Sequence, residues 1–173
     1  MKSIVSLSGP VGAGKTTIAR EFIALSSGSI AYIEGDKFWS FIAKNENGQT
    51  RHKNFLTIMA SMIAAAVPYA LADYEVLLDF SIPPFFLDTA RKIVKVRDVP
   101  LDYVLVRPSE PICAARAAAR PEGAIPDYSS YSEFYATFDG MERNTISDDK
   151  NDATVIADRI REGLDRGMFR LAA

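Results

Sequence analysis

The eight residues Gly9-Pro10-Val11-Gly12-Ala13-Gly14-Lys15-Thr16 constrain the fold of this chain more than any other feature. They satisfy G-x-x-x-x-G-K-[ST] at every fixed position. Glycines there let backbone N–H groups turn inward around an anion with no Cβ in the way. A helix opening at Lys15 points its positive dipole end at the same anion. In such a loop the lysine reaches the β- and γ-phosphates of a nucleotide, and the Thr16 hydroxyl ligates Mg²⁺. The expected phosphate-binding set is Gly9, Gly12, Ala13, Gly14, Lys15, Thr16 and Thr17.

The loop needs a strand before it and a helix after it, and both are legible. Residues 4–7 (IVSL) are a short β-branched run, and 15–25 carry Ile18, Phe22 and Leu25 at helical spacing. Further along, strands are expected at 30–33 (IAYI), 76–80 (VLLDF), 103–106 (YVLV) and, briefly, 143–147. Helices are expected at 38–43, through the Ala-rich 55–72, at 83–94, at 111–120, from Ser130, and from about Asp152. Ser130 with Glu133 forms a capping-box pattern, and Tyr131, Phe134, Tyr135 and Phe138 are expected in the core. Residues 45–50 read as a polar turn and 121–129 as a mobile loop. Alternating βα units predict an α/β fold of three layers, a parallel sheet of about five strands covered on both faces.

With 173 residues the chain fits one domain, 1–173. Its 48% hydrophobic content and net charge of -2 exclude general disorder. Twenty basic against 22 acidic residues give no positive field, so no nucleic-acid partner is expected. One cysteine, Cys113, and one histidine, His52, exclude a disulfide framework and a Cys/His zinc site, and suit a reducing, cytoplasmic location. Residues 1–7 do not read as a targeting segment. Residues 55–72 contain no charge and approach membrane-span length, but their alanines, Thr57, Ser61 and Pro68 favour a helix buried in a domain, and no membrane partner is expected.

Asp79 ends the third strand, where a second carboxylate holds Mg²⁺ through water; a helix or turn cap is the alternative reading. Phe80, not Glu, follows it, which disfavours motor-type ATPases. No N-K-x-D motif is present, and Ile82 occupies the glycine position of a D-x-x-G, so the GTPase reading falls.

Together these features resemble the small P-loop kinases of the nucleoside-monophosphate-kinase-like group, which includes gluconate kinase, adenylylsulfate kinase, shikimate kinase and chloramphenicol phosphotransferase. Glu34-Gly35-Asp36 is similar to their D-G-D or V-D segment, which implies that Asp36 faces the γ-phosphate and contacts the acceptor hydroxyl. Residues 113–120 (CAARAAAR) resemble the R-x-x-x-R lid helix, with Arg116 by the adenine and Arg120 at the transferring phosphate. Arg116 and Arg120 are expected one turn apart on one helix face, in a lid within 107–140. Two solvated surface arginines are the alternative there, and for Asp36 the alternative is an N-cap of the following helix.

The resemblance implies MgATP as donor and transfer of its γ-phosphoryl to a hydroxyl of a small molecule, with Lys15, Asp36, Arg116 and Arg120 as the catalytic set and Thr16 and Asp79 at the metal. The arginine that grips an acceptor monophosphate in adenylate kinases is missing from Asp79-Phe80-Ser81-Ile82-Pro83, with Arg91 or Arg97 as possible substitutes. A cytidylate-like monophosphate kinase is therefore the second reading, and a nucleotide-binding switch without useful turnover the third. Trp39, Phe38, Phe85 and Phe86 are candidate acceptor-pocket walls, and Asp148, Asp149 and Asp152 candidate neighbours of the adenine.

Overall fold

A computed structural model describes residues 2–45, 48, 50–150 and 152–172. Five parallel strands form one sheet in the order β2-β3-β1-β4-β5: β1 Ile4–Ser8, β2 Ile30–Glu34, β3 Glu75–Asp79, β4 Leu101–Val106 and β5 Thr145–Ile146. The central strands β1 and β4 are buried along their whole lengths, as a sheet covered on both faces requires.

Side chains alternate between two cores with the period of two that strands impose. Ile4, Val76, Leu78, Tyr103 and Leu105 pack beneath α2 (Arg51–Leu71) and α3 (Leu87–Lys95). Val5, Leu7, Leu77, Val104 and Val106 pack beneath α1 (Lys15–Ala24), α4 (Glu110–Ala118) and α6 (Ala153–Asp165). This is the expected three-layer α/β sandwich. By length and apolarity alone α2 is able to cross a membrane. In this fold its stripe Ile58, Met59, Met62, Ile63, Ala66, Val67 and Ala70 lies buried against the sheet.

Several elements depart from the sequence-based expectation. Helix α2 starts at Arg51, four residues before the apolar run, because the Thr50 hydroxyl caps it by accepting from the Lys53 amide. Within the expected turn at 45–50, residues 46, 47 and 49 lie outside the described residues. The expected helix at 38–43 is a 3₁₀ segment, Gly35–Phe41. At 83–94, a 3₁₀ turn (Pro84–Phe86) precedes α3. Helix α5 (Ser129–Ala136) does not use the Ser130–Glu133 box; the Asp127 carboxylate accepts from the Ser129 amide and begins the helix one residue earlier. Of the aromatic stripe expected in the core, Phe138, just past α5, is fully buried, and Tyr131, Phe134 and Tyr135 are half-buried and pack against the two cores. Tyr131 and Phe134 also line the mouth of a cleft, which leaves part of each ring open to solvent.

Candidate active site

The glycine-rich loop of residues 9–14 joins the end of β1 to the start of α1. Gly12 and Gly14 have φ of 83° and 89°, in the left-handed region that favours glycine. Gly12 also passes so close to α4 that a Cβ there would lie 2.1 Å from the Cys113 carbonyl oxygen. Helix α1 has no side-chain cap and no acidic residue in its first turn, so its first amides stay available to an anion. Lys15 folds over the loop, its Nζ donating to the carbonyls of Gly9 at 3.1 Å and Pro10 at 3.0 Å. Withdrawal from water lowers the pKa of that ammonium, and the carboxylates of Asp79 and Asp36 partly counter the effect.

Asp79 sits at the end of β3, directly beside the loop, since Leu7 and Asp79 are paired across β1 and β3. Its Oδ2 accepts the Thr16 hydroxyl at 2.7 Å and the Tyr32 hydroxyl at 3.0 Å. The carboxylate caps no helix, so that alternative is removed. Among the described residues no group of three or more His, Cys, Asp or Glu is placed to hold a metal by itself. A hydroxyl and a carboxylate side by side are nonetheless a hard-oxygen donor pair of the kind Mg²⁺ takes when substrate phosphates supply further oxygens. The residues present fit that ion.

A cavity of about 560 Å³ opens over the loop. Gly12, Gly14, Lys15, Thr16 and Thr17 form its floor, Asp79 and Asp36 one wall, and Arg116 and Arg120 the other. Gly9 and Ala13 do not face it; Gly9 holds the lysine through its carbonyl, and Ala13 is packed in the core. Arg116 lies on α4, with its Nη1 3.7 Å from where a Cβ on Gly14 would stand. Arg120 is not on the same helix face, because α4 ends at Ala118; it projects from the chain just past the helix and still lines the cavity. Arg116 is half-buried and Arg120 exposed, and both side chains line the cavity.

Asp36 enters from the 3₁₀ turn after β2. It lies within the first turn of that segment, whose N-cap position is Glu34. Gly35 serves close packing rather than an unusual turn: a Cβ there would meet the Phe80 ring at 2.5 Å and the Met62 sulfur at 2.6 Å. Desolvation raises the Asp36 pKa, Lys15 opposes this, and the neighbouring Asp79 and Glu34 carboxylates add to it. The side chain still touches the water of the open cleft.

Beside this cleft lies a second cavity of about 850 Å³, walled by Trp39, Phe55, Phe80, Phe85, Tyr131 and Phe134. Val11, Asp36, Arg51, Phe80, Ser81 and Tyr131 line both spaces and mark their junction. Trp39 and Phe85 line this second cavity, whereas Phe86 is core and Phe38 packs on the core edge. Arg91 pairs with Asp88 at 3.0 Å, and neither it nor Arg97 lines either cavity, so neither replaces the missing acceptor arginine.

Ser8, Tyr32, Arg51 and Tyr131 escaped the sequence reading. The Ser8 hydroxyl both donates to the Ile82 carbonyl (2.7 Å) and accepts from the Ile82 amide (2.9 Å), while the Tyr103 hydroxyl donates to the same carbonyl at 2.7 Å. This buried network fixes the Phe80–Ser81 corner. Thr50 as a cap was the available signal for Arg51.

Other sequence candidates have structural roles. Asp149 accepts from the Ser109 amide, Asp148 pairs with Arg159, and Asp152 caps α6 through the Val155 amide. Cys113 is buried, and desolvation lifts its thiol to about 11, an unreactive state.

No family model matches the chain, and no curated protein sequence matches it. Solved structures do. A sugar kinase from Janibacter sp. matches with a TM-score of 0.72 at 20% identity, over 95% of this chain and 95% of that one. The APS kinase CysC of Mycobacterium tuberculosis, in complex with AMPPNP and APS, matches with 0.74 at 16% identity, over 95% and 98%. The tunicamycin resistance protein of Deinococcus radiodurans matches with 0.72 at 14% identity, over the full length of both chains. The fold is therefore that of the small P-loop kinases.

Proposed function

We propose that this protein is an ATP-dependent phosphotransferase that moves the γ-phosphoryl of MgATP to a hydroxyl of a small molecule. The observation that carries the reading is the convergence on one cleft of an uncapped helix start with its lysine, a Thr16–Asp79 oxygen pair, two arginines and the Asp36 carboxylate. The kinases that share the fold agree with it.

The loop amides and Lys15 would hold the β- and γ-phosphates, and Thr16 and Asp79 would hold Mg²⁺, which when bound neutralises charge on those oxygens. Arg116 and Arg120 would face the same phosphates from the lid within 107–140 and offset the charge that spreads during transfer. Asp36 would take the proton of the acceptor hydroxyl as its oxygen bonds to the γ-phosphorus. The bond from that phosphorus to the β–γ bridging oxygen breaks, and its electron pair leaves with ADP. The raised pKa of Asp36 makes it a better base than an ordinary aspartate. We take 1–173 as one kinase domain, acting in the cytoplasm.

The test is ADP release measured across sugars, antibiotics, nucleosides and nucleoside monophosphates. Acceleration by a hydroxyl acceptor supports the reading. Acceleration only by monophosphates points to the cytidylate-like kinase, and release that no acceptor accelerates points to a nucleotide switch.

A further inference from the structure

We propose that the acceptor is an uncharged, ring-bearing alcohol of nucleoside size or larger, seated in the aromatic cavity next to the phosphate cleft; this rests on the phosphotransfer reading above. The cavity holds about 850 Å³, more than the phosphate cleft itself and within the range that encloses a drug-sized ligand. Its wall is continuous: the Phe55 ring stands 5.5 Å from that of Phe80 and 6.2 Å from that of Phe134, centroid to centroid. Trp39, Phe85 and Tyr131 add to the aromatic part of the lining. A sugar acid or open polyol placed against these rings would give up hydrogen bonds to water without replacing them. A molecule with a ring body would instead exchange wet apolar surface for ring contact.

Charge points the same way. Among the described residues lining this cavity, Arg51 is the one permanent cation, and Asp36 and Glu133 are the carboxylates. The Arg51 guanidinium lies over the Trp39 ring, 5.2 Å from its centroid. An anionic acceptor therefore finds no excess of positive charge, and meets two carboxylates. At the junction of the two cavities, Asp36 and Ser81 provide polar groups between aromatic walls. A hydroxyl there reaches toward the phosphate cleft while the ring body stays in the aromatic cavity.

Trp39 is the one tryptophan of the chain, so intrinsic tryptophan fluorescence reads occupancy of this cavity without any turnover. Two probe pairs separate the contributions, each titrated with MgADP present to fill the phosphate loop. Phenyl β-D-glucoside should bind about ten- to a hundredfold tighter than glucose, the gain expected from burying one phenyl ring. Cytidine should bind at least as tightly as cytidine monophosphate. Equal binding of glucose and its phenyl glycoside, or tighter binding of the monophosphate, would overturn the proposal.

Phe85 is 56% exposed, so Phe85→Ala should leave the core intact while narrowing the preference for the phenyl glycoside. An unchanged preference would place the ring elsewhere and defeat the assignment. Calorimetry of MgADP alone keeps the two readings apart. Absent MgADP binding defeats the phosphotransfer reading, whereas MgADP binding without ring preference defeats only this one.

Discussion

The Thr16 hydroxyl donates a 2.7 Å hydrogen bond to Oδ2 of Asp79, tying the first turn of α1 to the end of β3. Two residues 63 positions apart in sequence thereby place a hydroxyl and a carboxylate side by side. Tyr32 donates to the same oxygen from the edge strand β2 and holds the carboxylate from the other side.

Asp79→Asn preserves the size of the side chain and removes its charge. The Mg²⁺ concentration needed for half-maximal turnover should rise about 10–100-fold, with Tyr32→Phe producing a smaller shift in the same direction. A magnesium titration of ADP release checks both. An unchanged requirement would make Asp79 a structural partner of Thr16 alone.

The two arginines should separate kinetically. Arg120→Ala should lower kcat by up to about 10³–10⁵, the range seen when an arginine supports charge in phosphoryl transfer, with less effect on nucleotide binding. Arg116→Ala should weaken nucleotide binding more, since its guanidinium stands beside Gly14 in the loop. Steady-state kinetics with calorimetric nucleotide binding read the split. Wild-type values for both variants would return the arginines to solvent.

For Asp36 the sign of the pH effect is fixed by its raised pKa. A general base must be ionised, so turnover should fall as pH drops through that raised value, above the range of an ordinary aspartate. Asp36→Asn should slow transfer by about 10²–10⁴ and abolish that acidic limb. Stability should move the opposite way. The folded chain holds this proton more tightly than the unfolded one, so stability declines as pH rises from the unfolded to the folded pKa. The Asn variant should therefore be slower yet at least as stable at neutral pH, as read by denaturant titration.

Much of this was legible beforehand, for identifiable reasons. The phosphate loop is a backbone requirement written directly as glycines, and buried parallel strands read as apolar runs. Arg120 was assigned to a helix face because alanines favour helix, yet α4 ends at Ala118 and the side chain still lines the cleft. Tyr32 and Ser8 were not legible at all. Their partners, Asp79 and Ile82, lie 47 and 74 residues away, and no local pattern encodes a hydrogen bond across strands.

Ser8→Ala tests that hidden network. It removes both Ser8 hydrogen bonds to Ile82, whose amide keeps its turn bond to the Phe80 carbonyl and whose carbonyl keeps the Tyr103 hydroxyl, and should cost about 1–3 kcal/mol of stability, about 0.5–1.5 kcal/mol for each bond lost. Chemical denaturation measures it. A change within about 0.5 kcal/mol, typical of ordinary surface substitutions, would show that the corner does not depend on Ser8.

The most direct test of the account is phosphorus NMR of wild-type protein and the Lys15→Ala variant, each incubated with MgATP and the acceptor that most accelerates ADP release. The wild type should yield ADP together with a phosphate ester on the acceptor oxygen. The folded variant should form that ester about 10²–10³-fold more slowly, having lost a fixed cation at the transferring phosphate. ADP accompanied only by inorganic phosphate, or equal ester formation by both proteins, would contradict it.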